Sequence, residues 1–138
     1  MARDLFLEQL GEVPLFSAMS KKDLQSVAKR ADFVSAPPGK VLVTEGSAGS
    51  EFFAILAGRA RVERHGRQVA LLGPGNFFGD LALLDRAPRN ASVVSETDME
   101  LARLNQRAFD ALLDVPGFSK KLLAGLARRL REQDLRQP

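Results

Sequence analysis

The stretch FFGDLALLDRAPRNAS, residues 77–92, places a glycine and a carboxylate, Gly79 and Asp80, directly before a short apolar run. An arginine, Arg89, follows nine positions after Asp80, between a proline and a run of small residues. A helix that begins at Gly79 would present backbone N–H groups and the positive end of its dipole in its first turn. A glycine there lets a ligand approach the backbone closely. The stretch therefore predicts a turn of helix that receives an anion.

The two charges in this stretch indicate the kind of ligand. Arg89 carries a fork of donors suited to a phosphate. Asp80 would repel a phosphate, but its carboxylate can accept a hydrogen bond from a neutral hydroxyl, such as a ribose 2′-OH, while it orients Arg89. A ligand with a phosphate next to a free ribose hydroxyl fits Gly79, Asp80 and Arg89 together. An isolated G-D-L-A-L would favour a simpler interpretation, in which Asp80 caps a surface turn and pairs with Arg89.

The sequence before this stretch predicts β-strands. Short segments rich in Val, Ile, Leu and Phe are separated by glycines at 46, 58, 66 and 73, at intervals of 7 to 12 residues. This spacing is typical of an antiparallel sandwich or barrel. His65-Gly66 predicts a tight hairpin turn, and residues 91–104 predict one or two further strands.

Helices are predicted at both ends of the chain. Ser20 with Asp23 has the pattern of a capping box at the start of a helix. Two helices are predicted after the strands, separated by Val115-Pro116-Gly117, and the last carries an apolar stripe of Leu122, Leu123, Leu126 and Leu130. We therefore expect one domain over residues 1–138, with a helical segment at 1–32, a β-roll at 33–104 that contains 77–92, and helices at 105–135.

The composition excludes several kinds of chemistry. The chain has no cysteine and one histidine, so we expect neither a metal site nor a thiolate. We find no nucleophile elbow and no P-loop, and GPGNFFG at 73–79 has the wrong spacing for a dinucleotide fingerprint. No catalytic residue, enzymatic activity or cofactor is predicted. The longest apolar run, FFAILA, is too short to span a bilayer, and no signal peptide is visible, so we expect a cytoplasmic protein.

FFGDLALLDRAPRNASVV resembles the phosphate-binding cassette of the cyclic nucleotide-binding domain family. That family includes the catabolite activator protein, protein kinase A regulatory subunits and cyclic nucleotide-gated channels. Its pattern is F-G-E-[LM]-A-L followed, after a short spacer, by P-R-x-A-[ST]. The matching residues are Phe78, Gly79, Leu81, Ala82, Leu83, Pro88, Arg89, Ala91 and Ser92. VPLFSAMSKKDLQSVAKRA and PPGKVLVTEGSAGSEFFAILAGRARV are similar to other parts of the family, so the resemblance covers roughly residues 10–135. It implies a mainly β fold with flanking α-helices, built on a jelly-roll-type antiparallel β-barrel.

The resemblance also implies a ligand site. Its residues would be Phe78, Gly79, Asp80, Leu81, Ala82, Arg89, Asn90 and Ala91. Arg89 would hold the exocyclic phosphate oxygens, backbone N–H groups near Leu81, Ala82 and Ala91 would face the phosphate, and Asp80 would take the role of the family glutamate toward the ribose 2′-OH. Asp80 is one methylene shorter than glutamate, so we expect this hydrogen bond to be weakened or lost, unless the loop shifts or a water completes the contact. The expected ligand is cAMP, because it is the commoner ligand of the family. The alternative is cGMP, because the Asn90 amide could either donate to the phosphate or accept from a guanine amino group.

The function implied is that of a non-enzymatic sensor that relays ligand binding through its last helix. The lid of the family would approach the base near Arg128, Arg129, Leu130 and Arg131. The alternative is a degenerate member that serves as a protein-interaction module without nucleotide. The basic last helix could instead dock on nucleic acid or an acidic partner, but no helix-turn-helix accompanies it, so nucleic acid is not expected. Either the barrel or a second copy of the chain, in a homodimer, would cover the apolar stripe. The effector protein is not evident from the sequence, and the chain is either a stand-alone receptor or an excised piece.

Overall fold

The computed structural model describes residues 2–79, 83–84 and 88–136, with the backbone alone for residues 2–4 and 133–136. The helices are α1 (Ala2–Glu12), a 3-10 helix (Pro14–Phe16), α2 (Lys21–Arg30), α3 (Gln106–Leu113) and α4 (Pro116–Arg136). The strands are β1 (Asp32–Ala36), β2 (Val41–Val43), β3 (Glu51–Ala57), β4 (Ala60–Arg64), β5 (Arg67–Leu72), β6 (Phe77–Phe78), β7 (Ser92–Ser95) and β8 (Met99–Asn105). Leu83 and Leu84 are helical. Within these residues, no helix is both long enough and apolar enough to cross a membrane.

Side-chain caps fix the starts of two helices. The Ser20 hydroxyl accepts a hydrogen bond from the Asp23 N–H at 3.1 Å, which confirms the predicted start of α2. The Asn105 side chain accepts from the Ala108 N–H at 2.8 Å and begins α3 directly after β8. Each cap satisfies a backbone donor that the first helical turn leaves without an intrahelical acceptor.

The described strands form two four-stranded antiparallel sheets, in the orders β1-β8-β3-β6 and β2-β7-β4-β5. We call them the inner and the outer sheet. The structure confirms the predicted mainly β, antiparallel fold with helices at both ends. The described strands form two open sheets. The predicted hairpin is confirmed as well, because His65 and Gly66 join β4 to β5 with φ values of 53° and 77°. Two successive positive φ values are those of a type I′ turn.

The inner sheet has an apolar core on each of its faces. Side chains alternate along β3, so that Phe52 and Ala54 pack under the helices while Phe53 and Ile55 pack between the sheets. The Phe52 ring lies 5.2 Å from that of Phe109 in α3. The molecule is therefore layered as helices, inner sheet and outer sheet.

The last helix is held along one face only. Leu122 and Leu126 pack into the core under the helices, whereas Leu123 and Leu130 are 67% and 63% exposed. Within one chain, the core therefore covers two leucines of the predicted stripe and leaves the other two uncovered: Leu123 lies about 100° around the helix from Leu122, and Leu130 lies a turn beyond Leu126. Farther along, Gly125 lies against β6, where an added Cβ would be 2.8 Å from the Phe77 ring.

Candidate functional site

Arg89 is buried, with 8% of its surface exposed. Its Nη1 donates to the carbonyl oxygen of Gly79 at 3.0 Å, and its Nη2 donates to the carbonyl oxygen of Glu51 at 2.7 Å. One acceptor follows β6 and the other begins β3, so two separate segments of main chain set the direction of the guanidinium. A buried charge is costly unless hydrogen bonds and ionic partners surround it. A guanidinium that is held in a fixed direction in this way is typical of an arginine that recognises an anion.

The backbone on either side of Arg89 is also fixed. The Arg89 N–H donates to the Ser47 carbonyl at 2.8 Å, and the Arg89 carbonyl accepts from the Gly46 N–H at 2.8 Å. Three residues on, the Ser92 hydroxyl accepts from the Glu45 N–H at 2.8 Å. The loop between β2 and β3 therefore aligns the segment that brings Arg89 into the site.

Gly79 makes room for the Arg89 guanidinium. Its φ of +91° lies in the region that favours glycine, and an added Cβ would be 2.6 Å from the Glu51 carbonyl oxygen and 2.8 Å from Arg89 Nη1. The sequence suggested a glycine that admits a ligand to the backbone. The structure supplies a second reason for the same residue, since any side chain at this position would collide with the hydrogen bonds of Arg89.

Arg64, which the sequence did not single out, lies beside the residues that follow Arg89. Its Nε donates to the Asn90 carbonyl oxygen at 3.1 Å. Asn90 itself is exposed, whereas Ala91 is 8% exposed. Within the described part of the chain, the Ala91 N–H donates to no acceptor. The alternation of side chains along β4 could have identified Arg64 from the sequence. It puts Arg64 on the same face of the strand as Ala60 and Val62, the face directed toward the space between the sheets.

The remaining residues of the predicted ligand site fall into two groups. Phe78 is 5% exposed and stacks on Phe53, with ring centroids 4.9 Å apart, so its side chain belongs to the core between the sheets. Asp80, Leu81 and Ala82 lie outside the described residues. Their roles toward the ribose and the phosphate stay predictions.

Of the four predicted lid residues, the structure brings Arg129 to β6. Its Nη2 donates to the Phe77 carbonyl oxygen, and its guanidinium carbon lies 4.5 Å from the centroid of the Phe77 ring. Arg128, Leu130 and Arg131 are exposed on α4. The second half of α4 is thereby attached to the strand that immediately precedes Gly79.

The geometry fits the binding of an oxyanion. The buried guanidinium of Arg89 and the N–H of Ala91 are donors on one short segment. Main-chain carbonyl oxygens direct the guanidinium, and the Arg64 side chain holds the peptide unit that contains the Ala91 N–H. Among residues 2–79, 83–84 and 88–136, no three His, Asp or Glu side chains are grouped so that they could hold a metal ion.

The chain is similar to known proteins over most of its length. Residues 33–115 match the family model described as the cyclic nucleotide-binding domain. A cAMP-dependent protein kinase regulatory subunit of Pyricularia oryzae is 38% identical over 113 residues, which cover 80% of this chain and 29% of the relative. The chain thus spans about three-tenths of the length of this curated relative.

Solved structures are similar over most of the chain. The catabolite activator protein of Thermus thermophilus has a TM-score of 0.78 and 36% identity, over 89% of this chain and 61% of that one. A cyclic nucleotide-binding domain from Methylobacillus flagellatus KT has a TM-score of 0.85 and 28% identity, over 97% of this chain and 83% of that one.

Proposed function

The chain belongs to the cyclic nucleotide-binding domain family, and on this premise we propose that it binds a 3′,5′-cyclic nucleotide, cAMP in the first place, through Arg89. The observation that carries the proposal is the buried guanidinium of Arg89, held between the carbonyl oxygens of Gly79 and Glu51. The names of two similar proteins, the Pyricularia oryzae regulatory subunit and the Thermus thermophilus cyclic AMP receptor protein, support cAMP as the ligand.

A cyclic phosphodiester suits these donors. It carries one negative charge on two exocyclic oxygens, which a guanidinium can approach through paired N–H groups. The Ala91 N–H adds a neutral donor to the same phosphate. Asp80 would accept from the ribose 2′-OH, so a free phosphate or a nucleotide without this hydroxyl would bind more weakly. The exposed Asn90 amide leaves cGMP as the competing ligand in our proposal.

The proposed output is a change in the position of α4, which makes the protein a sensor and not a catalyst. Phe77 contacts Gly125 and Arg129 of α4, and it is separated from Gly79 by a single residue. If Gly79 moves when the phosphate binds, Phe77 and the second half of α4 would therefore move as well. A ligand that binds one arrangement more tightly shifts the population toward it. An effector protein or a second copy of the chain would then read the exposed face of α4.

Calorimetric titration of the purified protein with cAMP and with cGMP tests the proposal. Arg89→Lys keeps the positive charge but removes the planar fork, so we expect cAMP affinity to fall at least tenfold. Arg61→Lys is the matched control, because Arg61 lies on β4 and pairs with Glu63 at 2.6 Å, on the face of the strand opposite Ala60 and Val62. Circular dichroism during thermal unfolding confirms that each variant is folded.

Two results would overturn the proposal. If Arg89→Lys binds cAMP as tightly as the parent, the pocket is assigned to the wrong residue. If the parent binds neither cAMP nor cGMP at millimolar concentration, the domain does not act as a cyclic nucleotide sensor.

A further inference from the structure

We propose that Arg64 is a positioning residue, which holds the peptide unit between Asn90 and Ala91 so that the Ala91 N–H is directed at the ligand phosphate. The part of this inference that concerns the ligand phosphate rests on the proposed function. The structural part concerns only the described residues Arg64, Asn90 and Ala91 and can be tested without any ligand.

The inference rests on the geometry of the peptide unit between Asn90 and Ala91. A peptide bond is planar and trans, so its C=O and its N–H point in opposite directions. Arg64 Nε donates to the Asn90 carbonyl oxygen at 3.1 Å. The N–H of the same unit belongs to Ala91, and it must therefore point away from Arg64. Ala91 is 8% exposed, and its N–H donates to no acceptor among the described residues.

Most backbone N–H groups of residues with so little exposure have a hydrogen-bond acceptor in folded proteins. An oxygen atom of a ligand would satisfy the Ala91 N–H, and an anionic oxygen is favoured because the buried guanidinium of Arg89 lies only two residues away in the chain. The main chain fixes the preceding peptide units, since Arg89 exchanges hydrogen bonds with Gly46 and Ser47. The Asn90–Ala91 unit is different because its carbonyl is held by a side chain, at an exposed residue where water competes for the same oxygen.

Contacts of its neighbours hold the main chain around Arg64. Arg64 ends β4, and the next residue, His65, donates its N–H to the Glu45 carboxylate at 3.0 Å. The carboxylate of the neighbouring Glu63 is bound by Arg61. Among the described residues, no carboxylate lies within ion-pair distance of Arg64. A direct effect of its charge on an anionic ligand must therefore be separated from the effect of its hydrogen bond.

Two substitutions make this separation. Arg64→Gln places an amide nitrogen the same number of bonds from Cα as the arginine Nε, so it keeps the donor and removes the charge. Arg64→Met has a similar length but neither donor nor charge. Arg67→Met is the charge control, because Arg67 lies directly opposite Arg64 in the β4–β5 register and is exposed. For each protein we would measure cAMP affinity by calorimetry and the ¹⁵N–¹H resonance and hydrogen exchange of the Ala91 amide in the free state.

We expect Arg64→Met to weaken cAMP binding roughly three- to tenfold, the equivalent of one hydrogen bond. Arg64→Gln and Arg67→Met should stay within about twofold of the parent, a change well below that of one hydrogen bond. In the free proteins, the Ala91 resonance should shift in Arg64→Met alone.

Three results would overturn the inference. Equal losses of affinity in Arg64→Gln and Arg64→Met would mean that the charge acts directly on the ligand. An unchanged affinity in Arg64→Met would mean that the peptide needs no side chain to hold it. An Ala91 resonance that is the same in the parent and in Arg64→Met would exclude positioning whether or not the parent binds cAMP, whereas absence of binding in the parent alone would refute the proposed function.

Discussion

Replacing Gly79 with alanine should damage both the stability of the fold and the binding of ligand. The φ of +91° at this position disfavours any residue with a Cβ, at about 1–2 kcal/mol. The new Cβ would also lie 2.6 Å from the Glu51 carbonyl oxygen and 2.8 Å from Arg89 Nη1. Ordinary contacts between heavy atoms are about 3.5–4.0 Å, so the guanidinium has to move by roughly 1 Å.

That movement removes the hydrogen bond from Arg89 to the Gly79 carbonyl, which is 3.0 Å long. A hydrogen bond to a charged group contributes about 1.5–3 kcal/mol, so together with the backbone strain we expect a loss of about 2.5–5 kcal/mol in the free energy of unfolding. Because the same guanidinium is proposed to bind the phosphate, cAMP affinity should fall at least tenfold, the equivalent of about 1.4 kcal/mol.

Urea denaturation and calorimetry measure the two effects, and Gly39→Ala is the matched control. Gly39 has a φ of +83° but nothing within 4 Å of its would-be Cβ, so its replacement reports the backbone strain alone. The difference between the two variants isolates the collision with Arg89. If Gly79→Ala is no less stable than Gly39→Ala and binds cAMP as tightly as the parent, the reasoning about this contact is refuted.

Three further substitutions test other parts of the structure. Asp80→Glu restores the usual length of the family carboxylate and should tighten cAMP binding by ~1 kcal/mol, about fivefold by calorimetry. An unchanged or weaker affinity would mean that the loop has adapted to aspartate or that the carboxylate does not bind the ribose. Arg129→Met removes the contacts with Phe77, so hydrogen exchange in the second half of α4 should become faster while global stability changes by about 1 kcal/mol or less; exchange equal to that of the parent would contradict this attachment. Ser95→Ala removes the acceptor of the Lys40 N–H at a residue with 0% exposure and should lower the free energy of unfolding by about 1–3 kcal/mol in urea; a loss below ~0.5 kcal/mol would mean that another acceptor replaces the hydroxyl.

The features that the sequence predicted well are those that depend on residues close together in the chain. The Ser20 cap of α2 involves a partner three residues away, and the His65-Gly66 turn needs only residues that tolerate positive φ. The family resemblance supplied Arg89 and Gly79, which the structure brings into contact.

The features that the sequence did not predict depend on distant segments. The contact between Arg64 and Asn90 joins residues that are 26 positions apart, and β1 is defined by its pairing with β8 near the other end of the domain. Leu123 and Leu130 are as apolar as the buried leucines of α4, so composition alone could not show which face the core would cover. These outcomes follow from packing between elements and not from local propensity.

Main-chain anchoring of Arg89 has a consequence for how the site tolerates mutation. The acceptor at position 51 is the carbonyl oxygen, which every amino acid possesses, while the Glu51 carboxylate binds Arg103 at 3.2 Å. Glu51 can therefore be replaced by other amino acids, which changes the surface charge but leaves the carbonyl acceptor of Arg89 in place. Position 79, which supplies the other acceptor, has no such freedom. Two positions that serve one guanidinium equally should thus differ sharply in a saturation mutagenesis experiment, with position 51 permissive and position 79 restricted to glycine.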